Sequence, residues 1–234
     1  MRLSFTTLLA FLFLVGNAIA GSGSFCTPGK IGEVRQKENT KSFHVDVAYP
    51  VLCSEPATRL LRDHVADAVR DFKETDPEHD LAFFPHPYEM IVQYDTIPAA
   101  HGRLLAVSLI TMVYTGGAHP NNWPDAWTFD LTDGHALTLD DIFPAPEGAL
   151  QVLAPFVRAR LRESLQDMVL DDMLLPGTEP TRENYAKYFL SDQGLTFLFG
   201  PYQVAPYAAG EQRVTIPMDR LMPLLRPTLT AVFQ

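Results

Sequence analysis

Alternation between apolar and polar positions predicts most of the strands in this chain. Residues 43–47, 88–94 and 127–132 alternate with a period of two, which is typical of half-buried strands. Residues 104–114 are almost continuously apolar and rich in β-branched side chains, as expected of a buried strand. We expect the strands at 43–47, 88–94 and 104–114 to form an antiparallel meander, the simplest topology for neighbouring strands.

Two longer segments carry apolar residues at helical spacing. In the first, Ser54 is a candidate N-cap and Pro56 lies in the first turn. The second covers residues 147–173, where Pro155 either kinks the helix or begins a new first turn. Because strands and helices do not alternate regularly, we predict an α+β fold, with amphipathic helices packed on one face of antiparallel sheet or sheets. The apolar stripes are Leu61, Val65, Ala68, Val69 and Phe72 in the first helix, and Leu150, Leu153, Val157, Leu161, Leu165 and Met168 in the second.

A loop at residues 114–126 separates the buried strand from the alternating strand that follows it. Gly116 and Gly117 permit a sharp turn and a close backbone approach, and Asn121 tolerates left-handed conformations. The loop predicts a wide hairpin with His119 and Trp123 near its tip. Loops held by a rigid sheet often carry function, so this tip is a candidate site.

The segment at residues 201–210 interrupts the regular pattern a second time with prolines and tyrosines. We expect it to lie beside the hairpin tip and to form one partner-binding surface with it. Two structural interpretations stay open: His119 organises its own loop through hydrogen bonds, and the tyrosines belong to a tightly packed connection. For the tryptophans, we expect Trp127 in the core and Trp123 exposed. The predicted partner-binding residues are Gly116, Gly117, His119, Asn121, Trp123, Tyr202, Pro206 and Tyr207.

The first twenty residues have the pattern of a secretory signal peptide: Arg2, an apolar run at residues 8–15, and an A-x-A site at residues 18–20. The apolar run is too short for a transmembrane anchor, which needs about 20 residues. We therefore expect cleavage near Ala20/Gly21 and a periplasmic or secreted mature chain without a membrane span. The predicted domains are the signal peptide at 1–20, an N-terminal α+β half at 21–98 and a C-terminal α+β half at 99–234.

The net charge of the chain narrows the classes of molecule that it is expected to bind. The formal net charge is −10, and it becomes −11 without the leader because Arg2 is the leader's only charged residue. An acidic chain argues against nucleic acid and anionic lipid as partners and favours a cationic one; the alternative is that the charge only keeps an exported protein soluble. Cys26 and Cys53 are the only cysteines, and in an oxidising compartment we expect them to form a disulfide.

Motifs for catalysis and metal binding are missing from the sequence. There is no HExxH motif, no Cys/His cluster and no Gly-x-Ser-x-Gly nucleophile elbow. We therefore predict no catalytic residue, no metal site and no cofactor, and a protein that is not an enzyme, with an unrecognised hydrolase as the remaining alternative.

Several segments together resemble a known bacterial module. They are VAYPVL (residues 47–52) before an amphipathic helix, YTGGAHPN (114–121), DGHALTLDDIF (133–143) and LTFLFGPYQVAPYAAGEQRVTIP (195–217). These segments are similar to the extracytoplasmic part of the anti-sigma-V factor and to secreted peptidoglycan deacetylases. The resemblance implies an α+β cell-envelope module, which binds lysozyme in the anti-sigma factor and accompanies a separate catalytic domain in the deacetylases.

The chain departs from both relatives, because it has neither an anti-sigma segment nor an appended deacetylase domain with its Asp/His metal pattern. Only the module carries over, so signalling and deacetylation are not expected. Two hypotheses follow. The first is an exported module that binds a cationic lysozyme-type cell-wall hydrolase, and the alternative is a domain that binds a peptidoglycan fragment or oligosaccharide by aromatic stacking.

Overall fold

The computed structural model of the protein describes residues 31–76 and 84–234, which form two β-sheets with helices packed against them. The first sheet has five strands in the order β1-β2-β3-β4-β5, and the second has three in the order β6-β7-β8. This architecture confirms the predicted α+β class. The strands are β1 Gly32–Asn39, β2 Phe43–Val51, β3 Tyr88–Ala99, β4 Leu104–Tyr114, β5 Asn121–Asp130, β6 Tyr188–Ser191, β7 Gly194–Phe199 and β8 Gln212–Pro217. The helices are α1 Glu55–Glu74, α2 Leu139–Ile142, α3 Pro146–Leu165, α4 Asp171–Gly177, α5 Met218–Leu221 and α6 Pro227–Thr230.

The first sheet is not the predicted meander. β2 pairs with β3 in parallel, with Phe43 opposite Tyr88, whereas the other strand pairs of this sheet are antiparallel. The reason is the helix between them: α1 crosses over one face of the sheet and returns the chain to the same end, so β3 must run in the same direction as β2. The structure also adds β1, an almost entirely exposed edge strand that the sequence did not predict.

The first helix forms where its pattern predicted it. Pro56 lies in the first turn, and Leu61, Val65 and Phe72 are buried against the sheet. Ser54 is the N-cap residue, but its side chain does not cap the helix; its hydroxyl donates to the carbonyl of Asp133 instead, at 3.3 Å. Ser54 therefore links the start of α1 to the turn after β5.

The β4–β5 hairpin confirms the wide hairpin predicted from the sequence. β5 begins earlier than the alternation indicated, at Asn121, and it contains Pro124 opposite Ile110. A proline is tolerated there because β5 is the last strand of the sheet and need not donate a ladder hydrogen bond on its outer side. Trp127 packs against the core, as expected, and Trp123 is exposed.

The second long helix is shorter than predicted. α3 begins at Pro146 and ends at Leu165, because Gln166 adopts a left-handed φ of 49° that the helix cannot continue through. Pro155 lies inside α3. Met168, assigned to the apolar stripe, lies beyond this break and is exposed, and a separate helix, α4, follows.

Two hydrophobic cores meet at a smaller third one. One core lies between α1 and the five-stranded sheet, and the other lies among α3, the three-stranded sheet and the C-terminal helices. Between the sheets, four residues form a cluster of their own: Ala106, Ala126, Phe189 and Leu198. Hydrogen bonds reinforce this junction, since the amide of Leu190 donates to Oγ1 of Thr128 at 2.7 Å.

Three predictions concern residues beyond the described part of the chain. The leader at 1–20 and Cys26 lie outside the described residues, so the Cys26–Cys53 bridge stays a prediction, with Cys53 exposed just after β2. Among residues 31–76 and 84–234, no helix is both long and apolar enough to span a membrane. The division into halves at 98/99 also stays a prediction; β3 and β4, which lie on either side of it, pair along their lengths.

Two buried tyrosines make the fold sensitive to alkaline pH. Tyr185 is fully buried and donates to the carbonyl of Thr178 at 3.2 Å, and burial raises its pKa to about 12. Burial also raises the pKa of Tyr188. In the unfolded chain a tyrosine ionises near pH 10, so the stability that these groups contribute is fully present below pH 10 and is lost as the pH rises towards the folded pKa.

We expect Tyr185 alone to account for about 2 kcal/mol of lost unfolding free energy between pH 9 and pH 12, since one pKa unit corresponds to ~1.4 kcal/mol and the folded-state tyrosine is half ionised when the pH reaches its pKa. Urea unfolding of the wild type and Tyr185→Phe at both pH values measures it. The variant loses about 1 kcal/mol at pH 9 with its hydrogen bond, but its stability then declines less steeply. Equal declines in the two proteins would contradict this explanation.

Candidate functional site

The hairpin tip and the segment at residues 201–210 lie side by side, as the sequence suggested. β7 ends at Phe199, and a Cβ atom built on the following Gly200 would lie 3.7 Å from Cδ of Pro124 in β5. The segment at residues 201–210, which connects β7 to β8, therefore begins close to the tip of the β4–β5 hairpin. Whether these residues bind a partner stays a prediction.

His119, Tyr202 and Tyr207 form what we call the aromatic cluster. The rings of His119 and Tyr207 are stacked, with centroids 3.6 Å apart and an interplanar angle of 16°. Both side chains also converge on one carbonyl: the hydroxyl of Tyr207 donates to the oxygen of Pro120, and Nδ1 of His119 lies 3.1 Å from it. This contact agrees with the interpretation that His119 organises its own loop through hydrogen bonds.

Tyr202 is the outermost member of the aromatic cluster. The residue is 60% exposed, and its ring centroid lies 5.6 Å from that of Tyr207 at a tilt of 38°. Its backbone has a φ of 69°, a left-handed conformation that costs a non-glycine residue about 1–3 kcal/mol and is concentrated at functional sites. A strained backbone thus presents a large aromatic face to solvent.

The remaining predicted loop residues support the tip. Gly116 has a φ of 87°, and a Cβ atom there would lie 3.0 Å from the ring of Phe84, so any other residue would strain the backbone and crowd this ring. Gly117 is exposed in the same turn, and Asn121 opens β5 opposite Val113. Pro206 precedes the short helical turn that carries Tyr207.

Trp123 faces a different site from the aromatic cluster. It shares the alternating strand β5 with Asp125 and Trp127, so its side chain points to the face covered by α1. There it lines what we call the helix–sheet groove, a cavity of about 300 Å³ between α1 and strands β3 to β5. Other lining residues are His64, Phe72, Met90, Thr111 and Asp125.

A charged group lies at one end of the helix–sheet groove, and the sequence did not reveal it. Nε2 of His64 lies 3.1 Å from Oδ2 of Asp125, and Nζ of Lys187 donates to Oδ1 of the same carboxylate. The His64 ring also meets the edge of Trp127, with centroids 4.9 Å apart at 75°. Three elements, α1, β5 and the segment before β6, therefore position one imidazole.

The surroundings favour the neutral form of this imidazole. Burial lowers the pKa of His64, and the positive charge of Lys187 acts in the same direction, while Asp67 opposes them. Burial also lowers the pKa of Lys187. A neutral histidine next to a carboxylate is able to accept a proton on its second nitrogen.

The described residues offer no evident metal centre. Within 31–76 and 84–234, no group of three or more His, Cys, Asp or Glu side chains converges on a point where it could hold an ion.

Residues 140–219 match the family model described as a protein of unknown function, DUF3298. Two solved structures share the fold: a DUF3298 family member from Bacteroides fragilis (TM-score 0.62, 19% identity, covering 88% of this chain and 97% of that one) and one from Pseudomonas aeruginosa (TM-score 0.55, 18% identity, 88% and 98%).

Two curated relatives carry functional names. Over 187 residues the chain is 28% identical to the peptidoglycan-N-acetylmuramic acid deacetylase PdaC of Bacillus subtilis, covering 80% of this chain and 40% of PdaC. Over 230 residues it is 23% identical to the esterase Rv3036c of Mycobacterium tuberculosis, covering 94% and 96%. The chain thus spans two fifths of the length of PdaC and nearly all of the esterase.

These comparisons confirm one prediction and overturn another. The resemblance to a module shared with peptidoglycan deacetylases is confirmed, and the matched domain is one of unknown function. The prediction that the chain is not an enzyme is wrong: the relatives are named as a deacetylase and an esterase, and both names point to enzymatic activity.

Proposed function

We propose that this chain is a cell-envelope protein that binds the glycan of peptidoglycan fragments through its aromatic cluster. The observation that carries the proposal is Tyr202, a residue that is 60% exposed on a backbone held at a φ of 69°. The similarity to a peptidoglycan deacetylase supports peptidoglycan as the source of the glycan.

Tyr202 would hold a sugar ring by stacking on it. A sugar ring has an apolar face of C–H groups, and an aromatic ring binds such a face while its polar edge stays in water. Tyr202 packs on Tyr207, which is fixed in turn by His119 and by the carbonyl of Pro120. Because the support is already in place, little conformational entropy is lost when a ligand stacks on Tyr202.

We further propose that the protein is exported. The leader at residues 1–20 matches a signal peptide, and removal near Ala20/Gly21 would release the chain into the periplasm or the medium, where peptidoglycan is accessible.

A cationic lysozyme-type hydrolase is the second candidate partner, and the net charge of −10 favours it. Long-range attraction would speed its association and would weaken as salt is added. Stacking on a neutral sugar depends little on salt. The two partners therefore differ in a measurable property.

We expect Tyr202→Ala to bind purified, protein-free peptidoglycan at least tenfold more weakly than the wild type, a loss of about 1.4 kcal/mol. Co-sedimentation at 50 mM and 500 mM salt measures the binding, with Leu175→Ala as the matched control because Leu175 is an exposed apolar residue on α4, 43% accessible.

Equal binding by Tyr202→Ala and the wild type would exclude the aromatic cluster as the glycan site. A wild type that ignores peptidoglycan but captures a basic lysozyme at 50 mM salt, and releases it at 500 mM, would replace the glycan by the hydrolase as the partner.

A further inference from the structure

The helix–sheet groove combines a held imidazole with a small, mostly apolar cavity. We propose that it is a hydrolytic site for short acyl esters, in which His64 is the general base that activates water and Asp125 is the residue that positions it. This site is separate from the aromatic cluster, so ester hydrolysis can be tested independently of glycan binding.

The two ring nitrogens of His64 have different roles, one as a hydrogen-bond donor and the other as a base. Nε2 lies 3.1 Å from the Asp125 carboxylate, whose negative charge favours the proton on that nitrogen. The lone pair is then on Nδ1. The edge-on contact with Trp127 limits ring rotation, so the base is held before any substrate arrives.

The cavity suits a small acyl group. Its volume of about 300 Å³ is at the lower end of ligand pockets, and Phe72, Met90 and Trp123 supply apolar walls. Thr111 lines the same cavity and brings a hydroxyl, a donor for the oxygen on which negative charge develops. A short ester thus meets an apolar surface, a base and a donor in one place.

The reaction balances with water as the only co-reactant. The water oxygen forms a bond to the ester carbonyl carbon, and Nδ1 of His64 takes the water proton. The tetrahedral intermediate then breaks the bond between the carbonyl carbon and the alcohol oxygen. His64 returns its proton to the departing alkoxide, which leaves an alcohol and a carboxylic acid and restores the neutral imidazole.

The charges around His64 set the pH range in which it can act. Asp125 faces it from β5, Lys187 from the segment before β6, and Asp67 and Asp71 lie on α1 itself. The net effect of burial and Lys187 is a pKa below the ordinary value for histidine. His64 is therefore in its proton-accepting form at neutral pH.

The test uses hydrolysis of 4-nitrophenyl acetate by the purified protein. We expect His64→Gln to lower kcat/KM at least 100-fold, the usual range for loss of a general base. His44→Gln is the matched control, because His44 is an exposed histidine on β2 outside the groove. Its activity shows how much one surface imidazole contributes to the background reaction. Near-UV circular dichroism checks whether each variant is folded.

A second variant separates the proposed role from a structural one. Lys187→Met removes the positive charge that lowers the pKa of His64, so the midpoint of the pH–rate profile should move to higher pH while activity persists. A wild type with no hydrolysis above the buffer, a His64→Gln variant as active as His44→Gln, or a midpoint that Lys187→Met leaves unchanged would each overturn the proposal.

Discussion

Replacing Gly194 by alanine is expected to destabilise the fold by about 3–5 kcal/mol, the sum of backbone strain and a steric clash. Gly194 opens β7 with a φ of 134°, a conformation that side chains rarely adopt. A Cβ atom there would overlap the carbonyl oxygen of Ile216 in β8. Because that oxygen belongs to the neighbouring strand, the clash is relieved only by separating β7 from β8.

The matched control is Gly102→Ala. Gly102 also has a positive φ, of 84°, but a Cβ atom there would have no neighbour within 4 Å. It should therefore lose only the strain, about 1 kcal/mol. Urea unfolding of the two variants and the wild type at pH 7 measures the difference, and equal losses would show that the contact with Ile216 does not matter.

The hydrophobic pattern predicted elements better than it predicted their pairing. The alternation of β2 and β3 was visible, but alternation is the same in parallel and antiparallel strands, so the direction of β3 was missed. β1 was missed for another reason. Its sequence, GEVRQKEN, has no apolar alternation. The strand does not need such a pattern, because both of its faces are largely exposed and its ladder to β2 holds it in place.

The end of α3 was equally invisible in the sequence. A glycine or proline ordinarily marks the end of a helix, and here Gln166 takes the left-handed conformation instead. The amide of Gln166 still reaches back to the carbonyl of Arg162. Tertiary packing of Leu165 on one side and Leu174 on the other favours the break, which residue propensity alone does not predict.

The sequence also predicted one candidate site better than the other. The glycines and prolines marked both loops of the aromatic cluster, because turn chemistry is local. The sequence could also have shown which face of the sheet Trp123 lies on, since it is four positions before Trp127 on one strand. The contact of His64 with Asp125 joins residues 61 positions apart, and no local pattern brings them together.

The second large effect is expected for Phe197→Ala, about 3–5 kcal/mol, because Phe197 is fully buried in the core of the second sheet. Its ring packs edge-on against Tyr185 with centroids 4.8 Å apart, and it lies opposite Val214 in the ladder to β8. Truncation leaves a cavity beside Tyr185, Tyr188 and Val214, which cannot fill it without moving.

The reporter for this variant lies in the other sheet, which makes the experiment a test of domain organisation. Trp123 and Trp127 are the only tryptophans, and both lie on β5. We expect Phe197→Ala to lower the unfolding midpoint seen by tryptophan fluorescence as much as the midpoint seen by far-UV circular dichroism. The reason is the junction between the sheets, where Phe189 and Leu198 pack on Ala106 and Ala126.

The control is Val152→Ala on α3, which truncates a residue that is 62% exposed and should cost less than about 0.5 kcal/mol. If the tryptophan-reported midpoint stays at its wild-type value while circular dichroism shows an earlier transition, the two sheets unfold separately. That outcome would mean two domains, with a boundary after β5 rather than at residue 98, because β3, β4 and β5 belong to one sheet. A shared shift would mean that the aromatic cluster and the helix–sheet groove lie on a single cooperative unit.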